Sequence, residues 1–239
     1  MKTKKKSLLP VILSGIKRNI IPGLILQLIA LTLVVCYYFI PAAESFFNVL
    51  GDIKTSYGFI YSSLATALFG GTVPFFIMLI MGRIKPENRM TDFIFLTCFW
   101  GIKGIEIDLL YRLMGILFGT EPSLSVVVPK VFTDQFIYGP LWAGPTMTIA
   151  YLFKDNNFSL RTVRKELANE SLLRRIAIVW CSSLVIWIPA VSIIYSLPQN
   201  LQLPLFNIIL CFFALILALV AKGTEKSELE FHKTGTILP

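Results

Sequence analysis

Long apolar runs, each bounded by charged or turn-forming residues, mark six stretches of the chain at 20–40, 57–81, 92–118, 131–153, 176–196 and 203–221. A spanning helix needs roughly 20 predominantly apolar residues, so each stretch predicts one transmembrane helix. The longest polar connection, 154–175, places Leu160, Val163, Leu167, Leu172 and Leu173 among its charges. That pattern predicts an amphipathic helix lying in the interface, with Ser159 and Thr162 offering hydroxyls for its N-terminal cap. Residues 1–18 read as a basic arm, 19–91 as an N-terminal transmembrane hairpin, and 223–239 as a polar, frayed tail. The break PQNLQLP at 198–204 admits either two full crossings or a re-entrant turn, and the charge pattern favours two crossings.

Composition agrees with the pattern. The chain is 55% hydrophobic and 15% charged, with a mean hydropathy of +0.72, more apolar and less charged than an ordinary soluble domain. The fold class expected is all-α, a polytopic transmembrane bundle of about six spans. Of the 22 Lys and Arg, all but Lys54, Lys103, Arg112 and Lys130 fall in one alternating set of loops and the two terminal segments. Lys and Arg accumulate on the cytoplasmic side, so both termini are expected there. The formal charge of +8 is spread over four loops bordering spans, which suits anionic lipid headgroups and argues against nucleic acid. The partners implied are the lipid bilayer and a second copy of the chain in a homo-oligomer.

Several chemistries drop out. Cys36, Cys98, Cys181 and Cys211 each stand alone in an apolar stretch, without the paired spacing of a metal or redox site. The single histidine, His232, lies in the polar tail, which excludes a His metal ligand or His general base within the bundle. Glu106, Asp108 and Asp134 carry carboxylates, but no nucleophile motif, phosphate loop or metal cluster accompanies them. The expectation is therefore a protein that is not an enzyme, without catalytic residues, metal or cofactor.

The informative positions lie in the third and fourth stretches. Lys103, Glu106, Asp108 and Arg112 interrupt the third, where each charge costs about 2.5–3.5 kcal/mol near a helix centre unless it pairs or lines a wet interior. Lys103 and Glu106 are three apart, and Asp108 and Arg112 four apart, so each pair can close on one face. At about 100° per residue the two pairs point to nearly opposite sides, which suggests a central helix packed all round. In the fourth stretch, Lys130 precedes Asp134 by four residues and allows a local ion pair. Alternatively Asp134 turns inward, to accept from Tyr111, pair with Arg112, or line a polar passage with Gln135 and Tyr138. Gly70, Gly71 and Pro74, and Gly139, Pro140, Gly144 and Pro145, combine missing side chains with missing donors, which suits close helix contact or a cavity wall.

These residues resemble a known family of small multi-span proteins, the Mpv-seventeen and twenty-two-kilodalton peroxisomal membrane protein family. Its Lys, Asp-Gln, Pro pattern is matched by Lys130, Asp134, Gln135 and Pro140. Its Gly-Pro, His, Trp-Tyr pattern is matched by Gly104 and Tyr111, with Ile105, Asp108 and Leu110 replacing Pro, His and Trp. A later signature is echoed by Trp187, Pro189, Tyr195, Pro198 and Asn207, with Gln202 where an Arg is usual. The resemblance covers residues 92–222, and the preceding part reads as an extra hairpin. It implies a membrane-embedded protein of a bacterial, mitochondrial inner or peroxisomal membrane that forms a weakly selective channel for a small solute. The Lys-rich start lacks an Arg- and Ser-rich presequence, which favours the bacterial cytoplasmic membrane.

Two functions follow. In the first, Asp134, Gln135, Tyr138, Tyr111 and one ion pair of the third stretch line a cation-preferring pathway. In the second, the same polar groups lock helices in a non-conducting scaffold.

Overall fold

The computed structural model describes residues 8–169 and 172–234, and among these there is no strand. Helix α1 spans Leu8–Phe39 and α2 Pro41–Tyr57. A π-helical stretch, Ala67–Thr72, joins α3 (Phe59–Thr66) to α4 (Val73–Ile80). Helix α5 (Arg89–Phe118) follows a single 3₁₀ turn. A longer π-helical stretch, Thr133–Ala143, joins α6 (Leu124–Phe132) to α7 (Gly144–Asp155). The chain closes with α8 (Leu160–Asn169), α9 (Leu172–Tyr195) and α10 (Gln199–Thr234).

Four helices are long and apolar enough to cross a membrane: Leu8–Phe39, Phe59–Ile80, Ile176–Tyr195 and Gln199–Ile216. The third and fourth predicted spans are helical too, but their charges and polar residues leave them outside that group. The surface has the character of a membrane protein. Helix α1 buries only Gly15, Pro22, Gly23, Leu26 and Ala30, while Ile21, Leu24 and Leu28 are about two-thirds exposed at 67%, 66% and 70%.

Helix α1 lies along α9 through residues spaced four apart. A Cβ on Gly15 would sit 2.2 Å from Ser182 Oγ, and one on Gly23 would sit 3.2 Å from Ile186 Cγ1. Between and beyond them, Asn19 Nδ2 donates to Ser182 O at 2.7 Å and Gln27 Nε2 to Ile186 O at 2.8 Å. Small residues let the backbones approach, and the amides then bridge them.

The structure departs from the expected layout at three places. Residues 8–18, read as part of an arm, form the first turns of α1 and pack on α9 through Gly15. Residues 41–56, read as a loop, form α2 together with Tyr57: Pro41 starts it at a position where proline's missing N–H costs nothing, and Phe47, Gly51 and Lys54 make its buried face. The tail does not fray at 222, since α10 runs on to Thr234 through a Glu- and Lys-rich segment of good helix formers. The interfacial segment does form a helix, and Ser159 Oγ accepts from the Thr162 N–H at 3.3 Å as its cap.

Candidate functional site

Helix α5 carries the site, and its glycines set where it lies. A Cβ on Gly71 would fall 2.6 Å from Leu96 O, and one on Gly104 would fall 2.1 Å from Ser62 O. Backbone thus lies on backbone where α5 meets α3 and the π-helical stretch that follows it, as the Gly70–Gly71 pair predicts. The helix is not packed all round. Ile94, Ile102, Leu109 and Ile116 form an outward apolar stripe, each 52–81% exposed. The two charged pairs flank this stripe on opposite sides, so each turns toward a different neighbour.

On one flank, Asp108 is 2% exposed and collects three donors. Lys54 Nζ reaches Oδ1 at 2.7 Å and Ser62 Oγ reaches Oδ2 at 2.7 Å. Arg112 donates from Nε at 3.1 Å and from Nη2 at 3.2 Å, and its guanidinium stacks 4.7 Å from the Phe59 ring centroid. The i,i+4 pair is therefore present, with two partners added from other helices. Lys54, read from the sequence as a loop cation, is 7% exposed.

On the other flank, Lys103 Nζ meets both oxygens of Glu106 at 2.8 and 3.0 Å and Thr146 Oγ1 at 2.7 Å. Tyr138 Oη donates to the same Glu106. This i,i+3 pair ties α5 to the π-helical stretch and α7.

Asp134 is turned inward, beside Gln135 but not toward Lys130, Arg112 or Tyr111. It accepts from Tyr195 Oη at 2.8 Å and from Gln135 Nε2 at 3.1 Å. It forms no ion pair with Lys130 or Arg112 and accepts nothing from Tyr111. Lys130, 1% exposed, instead sets its Nζ 5.7 Å from the Tyr195 ring centroid. The π register explains the failure of the local pair, because the helical i,i+4 geometry is lost where the turns widen.

Pro140 gives that widening a second consequence. Within the stretch, bonds reach back five residues, as from the Gly144 N–H to Gly139 O, and Pro140 has no N–H to offer Gln135 O. Trp180 Nε1 donates to that carbonyl from α9 at 2.7 Å. Trp180→Phe is expected to lower stability by about 1–3 kcal/mol, the cost of an unsatisfied buried carbonyl. Denaturant unfolding in detergent checks it, and an unchanged midpoint would mean that another donor serves Gln135.

The two flanks open into two cavities of about 590 Å³ each. The first is lined by Tyr38, Lys54, Asp108, Arg112, Thr120 and Gln199, among others. The second is mostly apolar, walled by Trp100, Trp187 and Phe206, with Arg83, Lys103, Asp134, Gln135, Tyr138 and Ser183 among its polar groups. Tyr111, 3% exposed, lines both. Its ring stands edge-on to Tyr195, with centroids 5.2 Å apart.

Of the predicted residues, the structure brings Asp134, Gln135, Tyr138, Tyr111 and Lys103 to one cavity and Asp108 and Arg112 to the other. Sequence reasoning missed Lys54, Ser62 and Trp180, and gave Tyr195 and Asn207 no role. Thr66 Oγ1 donates to Asn207 Oδ1 at 2.8 Å, a further tie between α3 and α10. A signal for Lys54 was present in the spacing of Phe47, Gly51 and Lys54 after Pro41, which is helical. Compared with known proteins, the chain matches no family model, no curated protein and no solved structure.

Proposed function

We propose that the chain crosses a membrane six times with both termini on the cytoplasmic side, and that it forms a weakly selective pathway for small solutes. The observation that carries the pathway is Tyr111: this buried residue lines both cavities of about 590 Å³, and polar groups line each of them. Six crossings gain support from α5, whose inner charges Lys103, Glu106, Asp108 and Arg112 are paired on its flanks while its outward stripe is apolar. Pairing of this kind lowers the cost of charge within the bilayer. The membership proposed is the Mpv-seventeen and twenty-two-kilodalton family, in a bacterial cytoplasmic membrane, with no enzymatic activity.

Planar-bilayer recording of the purified protein tests the pathway. Tyr111→Ala is expected to raise conductance by removing the bulk of a residue that both cavities share. Asp134→Asn is expected to reduce cation preference and conductance, since a lining carboxylate favours cations. Silence from wild type and Tyr111→Ala alike, with both folded, would overturn the pathway.

The scaffold reading has its own support, because Asp108–Lys54, Asp134–Tyr195 and Thr66–Asn207 each join different helices. It expects Asp134→Asn to lower thermal stability without any conductance to change.

A further inference from the structure

The first cavity has a surplus of positive charge and donors. Two cations, Lys54 and Arg112, face one carboxylate, Asp108. Lys54 uses one of the three ammonium hydrogens on Asp108. Arg112 places Nε and Nη2 on the same carboxylate, and its remaining N–H groups have no acceptor among the described residues. Its side chain, 42% exposed, lines the cavity together with the buried Lys54.

An independent feature points to the same place. Pro198, Gln199 and Asn200 line this cavity and form the start of α10, a helix of 36 residues. The Leu201 N–H is satisfied by Pro198 O, whereas the N–H groups of Gln199 and Asn200 have no acceptor among the described residues. A helix start offers free N–H groups and the positive end of the helix dipole, which together bind phosphate. Arginine adds a planar fork matched to phosphate oxygens, and lysine a compact charge.

We propose that this cavity binds a phosphate group, held between Arg112, Lys54 and the start of α10. One bound monoanion would balance the two cations against Asp108 and itself. Three donor sets approaching from α2, α5 and α10 suit the several oxygens of a tetrahedral anion better than a planar carboxylate. The phosphate can be free in solution or be the headgroup of an anionic lipid. The inference does not rest on the solute pathway, since binding needs no conduction.

Calorimetry in a neutral detergent, with inorganic phosphate titrated at constant ionic strength, tests the free source. Native mass spectrometry from bilayers mixing phosphatidylglycerol with phosphatidylcholine tests the lipid source. Wild type is expected to bind one equivalent in at least one experiment, and Arg112→Gln to bind about tenfold more weakly. Arg112→Gln should fold, because Asp108 keeps Lys54 and Ser62. Arg112→Lys, which keeps the charge and loses the fork, is expected to fall between them. Retention of phosphatidylglycerol without free-phosphate binding would identify the headgroup as the source. Wild type that binds neither probe, or an Arg112→Gln variant that binds as tightly as wild type, would overturn the proposal.

Discussion

Asp108→Leu is expected to destabilise the protein by about 3–5 kcal/mol, because it strands Lys54 as a buried charge without its partner. Lys54 and Asp108 are 7% and 2% exposed, so a Lys54 ammonium left without its carboxylate would keep little contact with bulk water. Arg112 is better placed: its side chain is 42% exposed and can extend outward on its aliphatic stem. The double variant Lys54→Met/Asp108→Leu should therefore regain most of the loss, since a buried ion pair replaced by apolar groups is often neutral or stabilising. Denaturant unfolding of wild type, both single variants and the double variant gives the coupling between the two sites. Additive effects would mean that Lys54 and Asp108 do not act as a pair.

Gly104→Ala is expected to cost about 2–3 kcal/mol, near the upper end for overpacking, and Gly104→Val to cost more. The reason is the nature of the neighbour. The new Cβ would stand 2.1 Å from Ser62 O, a backbone atom that moves only if α3 moves, and 2.7 Å from Thr66 Oγ1. Displacing α3 would also disturb Ser62 on Asp108 and Thr66 on Asn207. Gly101→Ala is the matched control, because its Cβ would meet Ser63 Oγ at 3.2 Å, and that hydroxyl can rotate away. It should cost under about 1 kcal/mol. Equal losses for the two alanine variants, measured by thermal unfolding in detergent, would show that the α3–α5 seam yields as easily as a side chain.

The agreement and disagreement between sequence and structure have a common physical origin. Lys103–Glu106 and Asp108–Arg112 were legible because helical spacing alone brings residues three and four apart together. The same rule failed for Lys130 and Asp134, because the fourth stretch is π-helical from Thr133 to Ala143. Pro140, Gly144 and Pro145 hinted at irregular backbone there, but they did not say which acceptor would be freed or that Trp180 would serve it. Helix α2 was missed because its 17 residues are too polar to resemble a span, even though Pro41 and the Phe47–Gly51–Lys54 spacing were visible.

By itself the sequence determined the all-helical class, the apolar segments, the capped polar helix and the ion pairs within α5. Each depends on hydrophobic period and on neighbours along one helix, which the order of residues contains directly. Only the tertiary structure decided that Lys54 and Ser62 share Asp108, that Tyr195 holds Asp134, and that Tyr111 lines both cavities. Those partners are 46 to 61 residues apart in the chain. Which of them meet is set by the rotation and axial offset of one helix against another, and these follow from glycine contacts and packing that no single segment encodes.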